Sequence, residues 1–312
     1  MVCSAAFTAQ LWALFPLYWI TIPFYLLILT LLLLGRRSNG RLRSAYFTAA
    51  ASVGAGDLLS IGVQFLYRFR RLHVFYWIFD LFDPFLANFT LSANHFTFNV
   101  QLWGMVMLTC NRFTAILMPV KHERMWNKTT LTVAIALQWL PAFLFYQIGL
   151  HQFLDVEYNY LDNSTTCVVV TYHNPLPVKL GLVAELLSSL VACGIMTPMY
   201  GCMLYKTATM IRNKVERKLI LAELKLAFLC FLFYIELIIA TFYLTRMIQT
   251  MDVEAYAPYY YTGIDLICLS NPYALCLCST VVRSELKKRL CFWKKKKTVT
   301  RVEVINMKTR SK

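Results

Sequence analysis

Four carboxylates stand inside long apolar runs of this 312-residue chain: Asp57, Glu185, Glu236 and Asp265. An ionisable side chain at membrane depth is costly and marks a functional site by default. No lysine lies well inside a run. That argues against a retinal-type Schiff base, which needs a buried lysine amine, and leaves the acids without an obvious cationic partner. One run carries a denser polar set. Asn88, Ser92, His95 and Asn99 recur at steps of four, three and four, which is one helical face. Thr90, Asn94, Thr97 and Gln101 repeat those steps on a second face. A helix polar on two sides cannot lie against lipid, so it reads as the central strut of a bundle. Its polar groups either bond neighbouring helices or line a cavity, and Asn94 and His95 suit the second role. Arg112 lies eighteen residues, or five turns, beyond Asn94 on the same face. The ten cysteines form no CxxC or Cys/His spacing, so neither metal nor cofactor is expected. With no HExxH, no GxSxG and five dispersed histidines, the chain does not read as an enzyme.

These residues need elements to hold them, and composition says which. The chain is 58% hydrophobic and 15% charged, against roughly 45–50% and about 25% in soluble domains. Its apolar residues come in runs of about twenty, the length that crosses roughly 30 Å of hydrocarbon. Seven such segments are expected at about 11–34, 45–67, 86–110, 131–150, 180–205, 226–249 and 261–282, each a helix because lipid cannot satisfy exposed backbone. The expected fold is therefore an all-α membrane protein, a seven-transmembrane helix bundle over residues 1–282 with a basic tail, 283–312. Of 31 Lys and Arg, 26 fall in the first, third and fifth connectors and the tail; five fall on the other side (Arg68, Arg70, Arg71, Lys179 and Arg246). By the positive-inside rule the N-terminus is outside and the C-terminus cytoplasmic. The net charge of +15 is then a topology signal and not a sign of nucleic-acid binding. Met1–Gln10 has no basic n-region, so no cleavable signal peptide is expected.

The inner end of the third segment reads Cys110-Asn111-Arg112-Phe113-Thr114-Ala115-Ile116-Leu117-Met118-Pro119. Asn-Arg-Phe-x-Ala-Ile-x-x-Pro is similar to the Asp-Arg-Tyr motif that closes the third helix of rhodopsin-like G-protein-coupled receptors. The fuller string to Trp126 resembles the nematode chemoreceptors called serpentine receptor class gamma. The resemblance implies a switch at Asn111, Arg112 and Phe113. It also matches Asp57 to the mid-helix acid of the second span, and Ser270-Asn271-Pro272-Tyr273 to an Asn-Pro-x-x-Tyr motif with its Tyr displaced. Trp139 and Pro198 carry the receptor pattern less sharply. Three departures stand out. Cys167 has no cysteine partner between Cys3 and Cys110, so the usual outer cystine is expected to be absent. The sixth segment, Leu226–Gln249, lacks a proline, and Asn94 is uncharged where amine receptors carry an acid, which disfavours a biogenic amine.

The resemblance implies a chemosensory receptor for a small extracellular molecule, coupled to the α subunit of a heterotrimeric G protein. By analogy it sits in the plasma membrane, in the cilia of sensory neurons. Depth and helical face assign the ligand lining to Asn94, His95, Glu185, Glu236, Tyr243 and Asp265. Lys206–Lys225, with Met210, Val215 and Leu219 on one side, reads either as a docking extension for the partner or as a basic stretch that lies on the membrane surface without one. Asn163 is an expected glycosylation site in the outer loop, whereas Asn127-Lys128-Thr129 should stay bare on the cytoplasmic side. Arg283–Leu290 is expected to form a short helix along the bilayer, followed by Cys291, a palmitoylation candidate beside Phe292, Trp293 and four lysines. The rival reading is a transporter or channel with carboxylate ion sites, against which stands the lack of an internal repeat or paired broken helices.

Overall fold

A computed structural model describes residues 5–37, 39–71, 77, 81–82, 85–152, 156–160, 168–172, 175–212, 217–250 and 253–289. Its long helices are α1 (Ala5–Leu34), α2 (Ala45–Arg71), α3 (Phe85–Leu117), α4 (Lys128–Gln152), α5 (Pro175–Arg212), α6 (Arg217–Thr250) and α7 (Val253–Cys278). A helix α8 (Thr280–Arg289) follows α7 at an angle of 88°. Among the described residues four stretches are long and apolar enough to cross a bilayer: Leu14–Arg37, Ala45–Leu66, Lys179–Met210 and Cys230–Thr250. The bent α7–α8 pair makes a fifth if counted as one span.

α3 is the strut. It touches α2, α4, α5 and α6, and its six residues from Thr97 to Leu102 are all buried. A helix with no lipid-facing side needs no apolar side, so α3 tolerates the polar residues that keep its hydropathy low. The outer helices show the reverse pattern. Trp19, Ile20, Leu187, Leu190, Phe228 and Phe242 point outward from α1, α5 and α6, as lipid rather than water requires.

α2 and α3 approach closely because glycine allows it. A Cβ on Gly56 would lie 2.6 Å from Val100 Cγ1, and one on Gly104 would lie 2.7 Å from Val53 Cγ2 and 2.8 Å from Gln138 Nε2. That Gln138 amide donates to Val100 O at 3.1 Å and its Oε1 accepts from Ser52 at 2.7 Å. Trp139 donates to the same Ser52 oxygen at 2.9 Å, which ties α4 to α2. Gly104→Ala should therefore break this bond set and cost about 1–3 kcal/mol by overpacking. Gly62→Ala, with open space around it, should be neutral or slightly stabilising. Thermal melting of the two purified variants checks the pair; equal melting temperatures would refute the close approach.

One short element stands outside the helices. β1 (Val156–Tyr160) and β2 (Val168–Tyr172) pair antiparallel, Val156 opposite Tyr172 and Tyr160 opposite Val168. The run Val168-Val169-Val170-Thr171-Tyr172 is rich in β-branched residues that favour a pleated ribbon over a helix. The hairpin touches α3 through β1 and α2 through β2, and so marks one end of the bundle. Arg112 marks the other.

Caps shape the Arg112 end. Asn127 accepts from Thr130 N at 2.9 Å and so caps α4. Ser279 accepts from Val282 N at 3.3 Å at the start of α8, and Arg283 donates to the carbonyls of Cys276 and Leu277 at the close of α7. Those contacts account for the sharp turn between the last two helices. α8 begins three residues before the helix expected from Arg283.

Candidate functional site

At the hairpin end, α3 enters a buried polar layer. Gln64 Nε2 on α2 donates to Asn94 Oδ1 at 3.1 Å. His95 Nδ1 lies 2.6 Å from Glu185 Oε1 on α5, and Tyr260 on α7 donates to Glu185 Oε2 at 3.3 Å. One turn beyond Gln64, Arg68 forms an ion pair with Asp265 on α7. Tyr18 on α1 donates to Asp265 and accepts from Arg68, whose guanidinium also sits 4.8 Å over the Tyr18 ring. Arg68 is 4% exposed and Asp265 1%, so the pair is out of water and each charge depends on the other. Five helices thus meet through side chains of opposite charge or complementary hydrogen bonding.

The expectation that Asp265 lacks a cation is therefore corrected. α2 continues to Arg71, past the end of the apolar run at 67, and carries Arg68 inward rather than into an outer loop. Spacing held the signal: Asp57, Gln64 and Arg68 recur at seven and four, one face of α2. Gln64, Tyr18 and Tyr260 are further members that depth and charge alone did not single out.

Four of the six expected lining residues, Asn94, His95, Glu185 and Asp265, share this layer. Two do not join it by hydrogen bonding among the described residues. Tyr243 on α6 stacks on Tyr259 of α7 with ring centroids 5.2 Å apart. Glu236, also on α6, keeps Oε2 buried without a hydrogen-bond partner. Ala240 packs against Gly263, where a Cβ would meet its Cβ at 3.5 Å. Glu236 and Tyr243 flank Ala240 at helical spacing and therefore share the α7-facing stripe of α6.

Deeper along the bundle, Asp57 gathers three helices. Its Oδ2 accepts from Tyr25 OH of α1 and from Asn271 Nδ2 of α7 at 2.6 Å; its Oδ1 accepts from Gln101 Nε2 of α3 at 3.2 Å. Two of the residues matched to receptor motifs, Asp57 and Asn271, are thus direct partners, and Pro272 beside them is buried. Tyr273 turns away to α1, its hydroxyl 3.0 Å from Thr21 Oγ1 and its ring stacked on Phe24 at 4.8 Å.

The Arg112 end is closed rather than open. Arg112 is 5% exposed, its guanidinium 3.5 Å over the ring of Tyr46 on α2, a cation–π geometry. Asn111 is fully buried, and neither atom of its amide has a hydrogen-bond partner among the described residues. Phe113 packs half-buried against the core. Thr114 Oγ1 accepts from Trp126 Nε1 at 2.8 Å and lies 3.0 Å from His122 Nδ1. Those bonds fold the short helix Pro119–Met125 back onto α3, which gives the string from Cys110 to Trp126 a structural purpose. Asn163, Cys167, Val215 and Cys291 lie outside the described residues, as do the side chains of Asn88 and Leu219. Among the described residues no group of three His, Cys, Asp or Glu converges as a metal site.

The family model of serpentine type 7TM GPCR chemoreceptors, Srv, matches residues 14–292. Serpentine receptor class V-1 of Caenorhabditis elegans is 22% identical over 197 residues, 62% of this chain and 62% of that protein. The chain therefore matches less than two thirds of that relative's length. The serpentine likeness holds; the gamma class is not the class matched.

Proposed function

The chain belongs to the Srv family of serpentine seven-transmembrane chemoreceptors, and from that premise we propose that it is a chemosensory G-protein-coupled receptor. As a multi-pass membrane protein it would face outward with its N-terminus and the hairpin, and inward with Arg112, α8 and the tail. The 26-to-5 distribution of Lys and Arg supports that orientation. The bundle would occupy residues 1–282 and the tail 283–312, in the plasma membrane of sensory cilia. A small molecule would bind among Asn94, His95, Glu185 and Asp265, with Glu236 and Tyr243 on the α6 side. The α subunit of a heterotrimeric G protein would engage the other end, where Asn111, Arg112 and Phe113 form the switch with Asp57, Asn271 and Pro272 behind them. Glycosylation of Asn163 and palmitoylation of Cys291 belong to the same reading.

One observation carries it. The helix in contact with four neighbours holds the buried polar layer at one end and Arg112, stacked on Tyr46 of α2, at the other. A ligand that rearranges the layer has a rigid element through which to bias the Arg112 contact, which is what a two-state switch requires.

The test is second-messenger output in cells exposed to a panel of small secreted metabolites. Arg112→Ala should abolish an evoked response while surface expression stays within about twofold. A response that survives the substitution would leave Arg112 as a topology residue. Asn94→Ala and Glu236→Ala should each shift the ligand's half-maximal concentration about tenfold or more, roughly 1.4 kcal/mol; unchanged values would move the pocket elsewhere. Substrate flux in proteoliposomes of the purified chain would favour a transporter instead.

A further inference from the structure

The connector between α1 and α2 and the helix α8 come from opposite ends of the chain and meet at the Arg112 end. Gly35 marks the contact: a Cβ there would lie 2.6 Å from Leu42 Cδ1, 3.8 Å from Glu285 Cγ and 3.9 Å from Arg289 Nη2. Leu42 is fully buried and acts as the plug. The connector brings Arg36, Arg37, Arg41 and Arg43; α8 brings Arg283, Lys287, Lys288 and Arg289. Among the described residues one carboxylate stands between them, Glu285, already shared at 3.8 Å with both Lys288 and Arg289.

Among the described residues most of this charge has no carboxylate within ion-pair distance. Arg283 is used on the carbonyls that end α7. Arg43 donates to the carbonyl of Arg36 at 2.8 Å, a contact that holds the two side by side without neutralising either. Arg36 has Nε and Nη2 shielded from solvent and without a hydrogen-bond partner among the described residues. A guanidinium held in this way calls for an anion. α8 leaves α7 at 88°, so with α7 crossing the bilayer it would run along the membrane plane, and Lys287 and Lys288 are exposed on it.

We propose that the α1–α2 connector and α8 form a binding site for the multiply phosphorylated headgroup of an anionic membrane lipid. Clusters of four to eight Lys and Arg beside a span are the electrostatic signature of such recognition, each cation worth about 1 kcal/mol near the surface. Two segments converging on Gly35 add what a linear basic tail lacks, a fixed arrangement of arginine forks for phosphate oxygens. The lipid's leaflet in the cell rests on the orientation proposed above. Binding itself does not, because a nanodisc presents both faces.

The experiment uses the full chain in phosphatidylcholine nanodiscs with a fluorescent phosphatidylinositol 4,5-bisphosphate probe. Arg36→Gln/Arg43→Gln/Arg289→Gln should weaken binding on the order of a hundredfold, from three charges at the value above. The matching Arg→Lys triple should keep most of it, which separates lost charge from lost fold. A control triple at the same end, Lys128→Gln/Lys206→Gln/Arg212→Gln, should change binding less than about threefold. Equal weakening by both Gln triples would overturn the site, and so would phosphatidylserine binding as well at matched charge. Soluble inositol trisphosphate binding more tightly than the lipid probe would overturn the membrane source. Intact lipid binding with lost G-protein coupling in the first triple would reassign the patch to an acidic protein partner. A chain that binds the lipid yet never signals would count against the receptor reading alone.

Discussion

Arg68→Ala should cost the protein about 3–5 kcal/mol, the largest single loss expected in the bundle. The reason is the asymmetry of a buried pair: removing one partner leaves the other as an uncompensated charge away from water. Here that residue is Asp265, 1% exposed, and its remaining partner Tyr18 supplies a hydroxyl but no charge. Asp265→Ala should cost about as much, since Arg68 would keep only the Tyr18 ring and hydroxyl. Arg68→Met/Asp265→Asn removes both charges at similar volume and should recover most of the loss. The check is thermal melting of purified variants followed by a thiol-reactive dye, because Cys268 is fully buried in the native bundle. If Arg68→Ala melted within a degree or two of the wild type, the α2–α7 ion pair would have to be abandoned.

Asp57→Ala comes second in size and acts by a different route. It removes the acceptor shared by Tyr25, Gln101 and Asn271, and each donor left unsatisfied in a buried site costs about 1–3 kcal/mol. Part of that is recovered, since Tyr25 and Asn271 also bond each other at 3.0 Å. Asp57→Asn keeps the volume and one acceptor oxygen, so melting temperatures should rank wild type, then Asn, then Ala. Under the proposed function evoked signalling should fall in both variants, because the hub links α3 to α7. An Ala variant as stable as the wild type would dissolve the hub; an Asn variant with full signalling would leave it purely structural.

The role of the third helix was legible without coordinates. Eight polar residues on two faces allow no lipid contact, and the observed α3 is buried from Thr97 to Leu102. The membrane character of the chain was legible in the same way, through runs of about twenty apolar residues. The polar candidates Asn94, His95, Glu185 and Asp265 came from depth and face, and each has a polar partner on another helix. Their partners were harder to see. Arg68 sits just past the end of an apolar run, where charge counting assigns it to a loop, and only the continuation of α2 to Arg71 draws it inward. Hydropathy does not distinguish the hairpin, because Val168–Tyr172 is too short to stand out between two apolar runs, although its β-branched residues favour a strand.

What the sequence determined by itself was the solvent of each segment: which stretches are helical and apolar, which connectors are basic, and which helix must be interior. Those properties are local, written in composition and in periods of a few residues. What only the tertiary structure decided was pairing: Tyr18 with Asp265, 247 residues away, Asp57 with Asn271, Arg112 on Tyr46, and the α1–α2 connector on α8. Pairing depends on how each helix is rotated and how deep it is set against its neighbours. Packing fixes those two quantities across the whole bundle at once, so no window along the chain contains them.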